Sequence, residues 1–184
     1  MTMSAALVTF IGATCASRDG AQADPAPSLQ TNVFTCEKEE LMSTVTSPRL
    51  HHLALTVTDV DASVRWYEDV FGIQFRMDVP HPGGVGKLLA DDDRQLMIVL
   101  HRHDTSTGTM FGETVTGLDH AGFMVPSRGD LEAWQAHLKA NGVLSADVAD
   151  KPLTQSPIAD EPYASVLVFR DPDNIALEFF APPG

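Results

Sequence analysis

Cysteine is nearly absent from this 184-residue chain: Cys15 and Cys36 are the only two, and both fall within the first forty residues. Two thiols can build neither a disulfide framework nor a cysteine-rich zinc site. Positive charge is also scarce, with 12 Lys and Arg against 25 Asp and Glu and a net charge of -13. That balance argues against nucleic acid and anionic membrane as partners, because both require clustered cations. A small anionic substrate, which needs only one local Arg, stays open. No apolar run approaches the roughly 20 residues of a membrane span. Leu7 to Ile11 is apolar but has no cationic start, no long apolar stretch and no small-residue cleavage site, so it does not read as a secretory signal and the expected location is cytoplasmic. What is present is a 43% apolar composition, enough for a core. The length suits one domain of about 100–200 residues, or two very small ones.

The first 48 residues differ from the rest. Ala21 to Ser28 is Ala, Pro, Asp and Gln, the composition of a linker, and no convincing periodicity begins before Leu50. Met42 is followed by Ser-Thr-Val-Thr-Ser-Pro-Arg-Leu-His-His, which reads like a natural short N-terminus. The expectation is a disordered extension over 1–48, with 1–41 either a flexible tail or an upstream mis-start, and one domain over 49–184. Without the extension 10 basic and 20 acidic residues remain, so the domain is still acidic at -10 and has no cysteine.

Residues 49–184 repeat. Leu50–Val57 reads as a strand, Asp61 as the cap of a helix over Ala62–Phe71, and Gly72 as its stop. Strands follow at Ile73–Asp78, Gly86–Ala90 and Gln95–His101, with the Asp91-Asp92-Asp93-Arg94 turn before the last. The order is βαβββ, over about 49–104. It returns over about 116–182 with a strand at Gly117–Val125, a helix at Leu131–Asn141 capped by Asp130 and stopped by Gly142, and strands near Leu144–Val148, Tyr163–Phe169 and Ile175–Phe180. His52 and His120 are 68 residues apart, as are Val57 and Val125, and Trp66 and Trp134, the only two tryptophans. That shared offset marks a duplicated module, and the fold class is α+β.

Strand alternation separates two faces. In the first strand Leu53, Leu55 and Val57 share the bulky face with His51, while His52, Ala54 and Thr56 lie opposite. In its equivalent, Ala121, Phe123 and Val125 are bulky, and His120 and Gly122 lie opposite. In the last strand Leu177 and Phe179 are bulky, with Ala176 and Glu178 opposite. One strong metal-ligand type thus projects among small residues on each strand, as in a lined pocket. Taken singly, each His could be an ordinary satisfied histidine and Glu178 a surface residue. Together at matching repeat positions, His52, His120 and Glu178 form a 2-His-1-carboxylate candidate for a divalent Zn, Fe, Mn, Co or Ni ion.

These residues, within LHHLALTVTDVDASVRWYEDVFGI, GLDHAGFMVPSRGDLEAWQAHLKANGV and VFRDPDNIALEFF, resemble the vicinal oxygen chelate superfamily of glyoxalase I, extradiol dioxygenases, epimerases, fosfomycin-resistance transferases and bleomycin-binding proteins. The resemblance implies two paired βαβββ modules forming an open, curved mixed sheet around one metal. The ligands carry over to His52, His120 and Glu178, with Glu178 doubling as proton acceptor, and the substrate is a small molecule bound through adjacent oxygens. A homodimer is in keeping with it. Glyoxalase I has a second Glu on the last strand of the first module, where this chain has Ile98 or Val99. Extradiol dioxygenases have a Tyr some ten residues before the Glu, where this chain has Val168, and a second-sphere His for which His101 or His103 could substitute. The reaction type therefore stays open between lyase or isomerase and dioxygenase, and the alternative function is a metal-free antibiotic-binding protein.

Other residues read more simply. His101 and His103 are either exposed strand-end histidines or cavity bases. Asp91, Asp92 and Asp93 read as a solvated turn. Gly83 to Gly86 is no phosphate loop, although Lys87 could meet an anion. Arg170 reads as a clamp on the Asp-Pro turn. Asp147–Pro162 reads as a loop, with a lid over the pocket mouth as one guess.

Overall fold

In the computed structural model, which describes residues 46–183, local capping chemistry sets each helix. Helix α1 spans Val60–Phe71. The Asp59 carboxylate accepts from the N–H groups of Asp61 and Ala62, and Gly72 closes the helix at φ 68°, a left-handed angle that glycine adopts freely. Helix α2 spans Arg128–Ala140, with the Ser127 hydroxyl accepting from Asp130 N–H. The expected caps Asp61 and Asp130 are therefore corrected to Asp59 and Ser127. The helices start two and three residues earlier than expected, and the two aspartates occupy first-turn positions near the positive end of the helix dipole. The expected extension over 1–48, with Met42 and both cysteines, lies outside the described residues apart from 46–48.

The strands are β1 (Leu53–Thr56), β2 (Gln74–Asp78), β3 (Gly84–Ala90), β4 (Met97–His103), β5 (Ala121–Met124), β6 (Leu144–Ser145), β7 (Thr154–Gln155), β8 (Ala159–Glu161), β9 (Ala164–Arg170) and β10 (Ala176–Ala181). They form two mixed sheets, one ordered β1-β4-β3-β2 and the other β5-β10-β9-β7-β6, with β8 on β9. Each first strand runs parallel to the last strand of its module. The two βαβββ modules are thus present, each with its own open sheet. The second module departs from the plan where one expected strand, Leu144–Val148, shortens to two residues. The supposed loop 147–162 instead holds β7 and β8, laid against β9. Buried Gln155 pins it, donating through Nε2 to Gln135 O at 3.1 Å and Val143 O at 2.9 Å.

Side-chain alternation buries the expected faces. Leu55, Val57, Ala121, Val125, Leu177 and Phe179 are in the core. Helix α1 adds Val60, Val64, Tyr67 and Val70 at helical spacing. Phe71 stands at the centre of an aromatic group, 6.4 Å from each of Trp66 and Trp134, the pair that marked the repeat. The modules also meet through polar groups. Asp173 Oδ1 accepts from Thr58 N–H at 3.0 Å and Thr58 Oγ1 at 2.6 Å, and Asp171 Oδ2 accepts from the Tyr67 hydroxyl at 3.0 Å. Asp171 and Asp173 are buried. Arg170 NH1 donates to Asn174 O at 3.1 Å, and NH2 pairs with Glu113, so this arginine clamps the turn as its position suggested.

Candidate functional site

Ala54 pairs with Val99, and Gly122, its equivalent 68 residues on, pairs with Glu178. The register therefore selects Val99, rather than Ile98, as the first-module counterpart of Glu178. The first module has an apolar side chain where the second has a carboxylate. On the other side of Glu178 lies Val168, its antiparallel partner, so the position that would carry a tyrosine in a dioxygenase is next to the carboxylate and holds no hydroxyl.

A cavity of about 590 Å³ opens beside these strands, framed by 50–53 leading into β1, by 95–97 leading into β4, and by Leu118 and 120–124 leading into and along β5. That volume suits a small molecule. His52 and His120 both line it. His120 Nδ1 is 2.7 Å from Asp119 Oδ1, and its Nε2 is 3.9 Å from Glu178 Oε2. Donation from Nδ1 to Asp119 leaves the Nε2 lone pair on the side of Glu178. At 3.9 Å the His120–Glu178 pair is too far apart for a hydrogen bond. Two ligands held at about 2.0–2.2 Å by one tetrahedral ion stand roughly 3.3 Å apart, within reach of a small side-chain adjustment. His52 Nδ1 lies 3.0 Å from His51 Nδ1, with the rings edge to face. Among the described residues no three His, Cys, Asp or Glu side chains gather closely enough to hold a metal as they stand. The structure thus brings His120 and Glu178 together and puts His52 on the same cavity without completing the cluster. Imidazole, imidazole and carboxylate fit a borderline divalent ion chemically, and Asp119 supplies the orienting carboxylate that ligating histidines usually have.

One histidine group escaped the sequence reading. His81, His101 and His103 lie together, with ring centroids 5.0 Å (81–101), 4.9 Å (81–103) and 6.2 Å (101–103) apart. Glycine makes room for them: a Cβ on Gly86 would stand 2.6 Å from His101 Nδ1 and 2.8 Å from Val79 O. The signal was the register of Gly84 and Gly86 against His103 and His101, a hairpin pairing that residue types alone do not disclose. His103 is exposed, but His101 is half-buried, which corrects the exposed reading for that residue. Its burial holds the His101 pKa below the usual imidazole value, with His81, His103 and His52 adding to the effect. No residue of 147–162 lines the cavity, so that segment is no lid. Lys87 is engaged by Asp78 at 3.1 Å, and Asp91 closes its turn by accepting from Gln95 N–H at 2.7 Å. Among the described residues no helix is long and apolar enough to cross a membrane.

The sequence pattern of the glyoxalase/bleomycin resistance protein/dioxygenase superfamily matches residues 49–179. A glyoxylase/bleomycin resistance protein/dioxygenase domain from Frankia sp. EAN1pec is 30% identical, covering 75% of this chain and 94% of its own, with a TM-score of 0.64. A point mutant of the fosfomycin resistance protein FosX from Listeria monocytogenes, solved with Mn(II) and 1S,2S-dihydroxypropylphosphonic acid, is 18% identical over 75% of this chain and 95% of its own, TM-score 0.51. The antibiotic-binding protein TnmS3 from Streptomyces sp. CB03234 is 18% identical over 76% and 99%, TM-score 0.53. At such identities the last two likenesses are of fold. No curated protein sequence matches the chain. The chain belongs to the glyoxalase/bleomycin resistance protein/dioxygenase superfamily.

Proposed function

We propose that the chain is a metal-dependent enzyme in which His52, His120 and Glu178 hold one divalent ion and a small substrate binds beside it through adjacent oxygens. The observation that carries this is the His120 ring, held at Nδ1 by Asp119 and facing Glu178 with Nε2 at the edge of a cavity that His52 also lines. A bound ion would act there as a Lewis acid toward the substrate oxygens. The chain's own part is to orient: Asp119 fixes the imidazole tautomer, and Glu178 provides a ligand oxygen and, on the Nε2 side of His120, a carboxylate for accepting a proton. Val99 leaves the first module without a second carboxylate, which favours chemistry needing one proton acceptor over two-base isomerisation. A cytoplasmic location and a homodimer belong to the same proposal, checked by fractionation and by sedimentation.

The test is metal analysis after refolding with Mn, Fe, Co, Ni or Zn. We expect close to one equivalent per chain, lost in the His52→Ala/His120→Ala/Glu178→Ala variant. Uptake below about 0.1 equivalent, unchanged in that variant, rejects the reading. The second reading, a metal-free binding protein, is favoured by the ungathered ligands and by the largely apolar cavity wall. It predicts ligand binding that is indifferent to chelators.

A further inference from the structure

We propose that the cavity beside β1 and β5 takes a neutral, largely apolar small molecule with one or two hydrogen-bonding oxygens, and that its protein wall, without a metal ion, discriminates against phosphate, phosphonate and carboxylate ligands. This rests on reading that cavity as the substrate site. Every side chain lining it is apolar, amide or imidazole. Its polar groups are His51, His52, His120 and Gln95, which are donors or acceptors without fixed positive charge. The charged side chains beside His120 are negative: Asp119 at 2.7 Å and Glu178 at 3.9 Å from its two nitrogens. The cations on neighbouring strands are engaged elsewhere, Arg76 with Asp92, Lys87 with Asp78 and Arg102 with Asp104. An anion entering the cavity would lose water and find no cationic side chain among those lining it to replace its solvation. An apolar molecule meets the opposite circumstances. Leu50, Met124 and Leu118 are 88%, 78% and 39% exposed around the cavity, although large apolar side chains gain by being covered. Met97 and Met124 can reshape around a ring. The half-open volume of about 590 Å³ is of the size that holds a small molecule.

The experiment uses the full chain, as purified and after chelator treatment, and titrates it calorimetrically with methyl 2-naphthoate and with 2-naphthoate, which share a ring system and differ in charge. We expect the ester to bind at least about tenfold more tightly than the carboxylate to the chelator-treated protein. Leu118→Ser and Met124→Ser should each weaken the ester by roughly tenfold, the loss expected for uncovering one large apolar side chain. Circular dichroism and thermal midpoint of both variants establish that they fold. Equal affinity for the two ligands, ester binding unchanged in both variants, or no ester binding overturns the proposal. If, in the last case, sedimentation shows a dimer that the two substitutions dissociate, the apolar rim is an interface between copies. The outcome is separable from the metal assignment, because chelator-treated protein that binds the ester while failing to take up metal sinks only the latter.

Discussion

At the level of single residues, two aspartates set the electrostatics of the molecule in opposite ways. Asp119 is exposed and points the His120 ring. Replacing it by Asn removes the charge that fixes the tautomer, and titration of the chelator-treated protein with Mn or Zn should give an affinity about 10–100-fold weaker. Asp171 is buried. Burial pushes its carboxyl up to about 7, against hydrogen bonds from Ile175 N–H and the Tyr67 hydroxyl and with Asp173 adding to the rise. A carboxyl whose folded pKa lies above its unfolded value favours folding most when protonated. Its contribution is fully present below about pH 4 and is lost as pH rises through about 7. The neutral Asp171→Asn variant escapes that loss, so thermal midpoints followed from pH 5 to pH 8 should move in favour of the variant. Parallel courses for the two proteins would show that Asp171 does not titrate in this range.

At the level of elements, capping and register decide more than propensity. The faces of β1, β5 and β10 follow directly from alternation, which is why Leu55, Val125, Leu177 and Phe179 were recognisable as core residues. The helix starts were less readable because Asp59 and Asp61 are both plausible caps two residues apart, and only hydrogen-bond geometry chooses between them. Strands β7 and β8 were hidden because two or three residues carry no period. The histidine group was hidden because it depends on two glycines beneath it. Gly86→Ala tests that arrangement: its methyl meets both an imidazole and the Val79 carbonyl, and overpacking of this kind costs about 1–3 kcal/mol. Urea denaturation should show the loss, and a His101→Ala background should recover part of it. Full recovery is not expected, since the carbonyl remains.

At the level of the whole molecule, the two modules are joined by an acidic turn and an aromatic group. The turn could be recognised in the sequence as a family signature, but its work could not, because Thr58 and Tyr67 lie more than a hundred residues from their partners. Asp173→Ala leaves the Thr58 N–H and hydroxyl without their acceptor, at a cost of about 1–3 kcal/mol. A fall in thermal midpoint with the metal affinity preserved would separate this role from the site's. The matched positions of His52 and His120 were readable for the converse reason: a repeat offset marks equivalent positions without knowledge of their neighbours. What the offset could not convey is how far the side chains converge, since His52 turns toward its own neighbour His51.

The polar and aromatic contacts that join the modules predict that fragments cut between them reassociate. Thr107 and Gly108 are exposed between β4 and β5, upstream of Phe111, whose N–H bonds Asp173 O at 3.0 Å. A chain cut there yields two polypeptides, each carrying part of the other's packing surface. The halves, produced separately, amount to a split protein in which recovery of the cavity reports that the fragments have found each other.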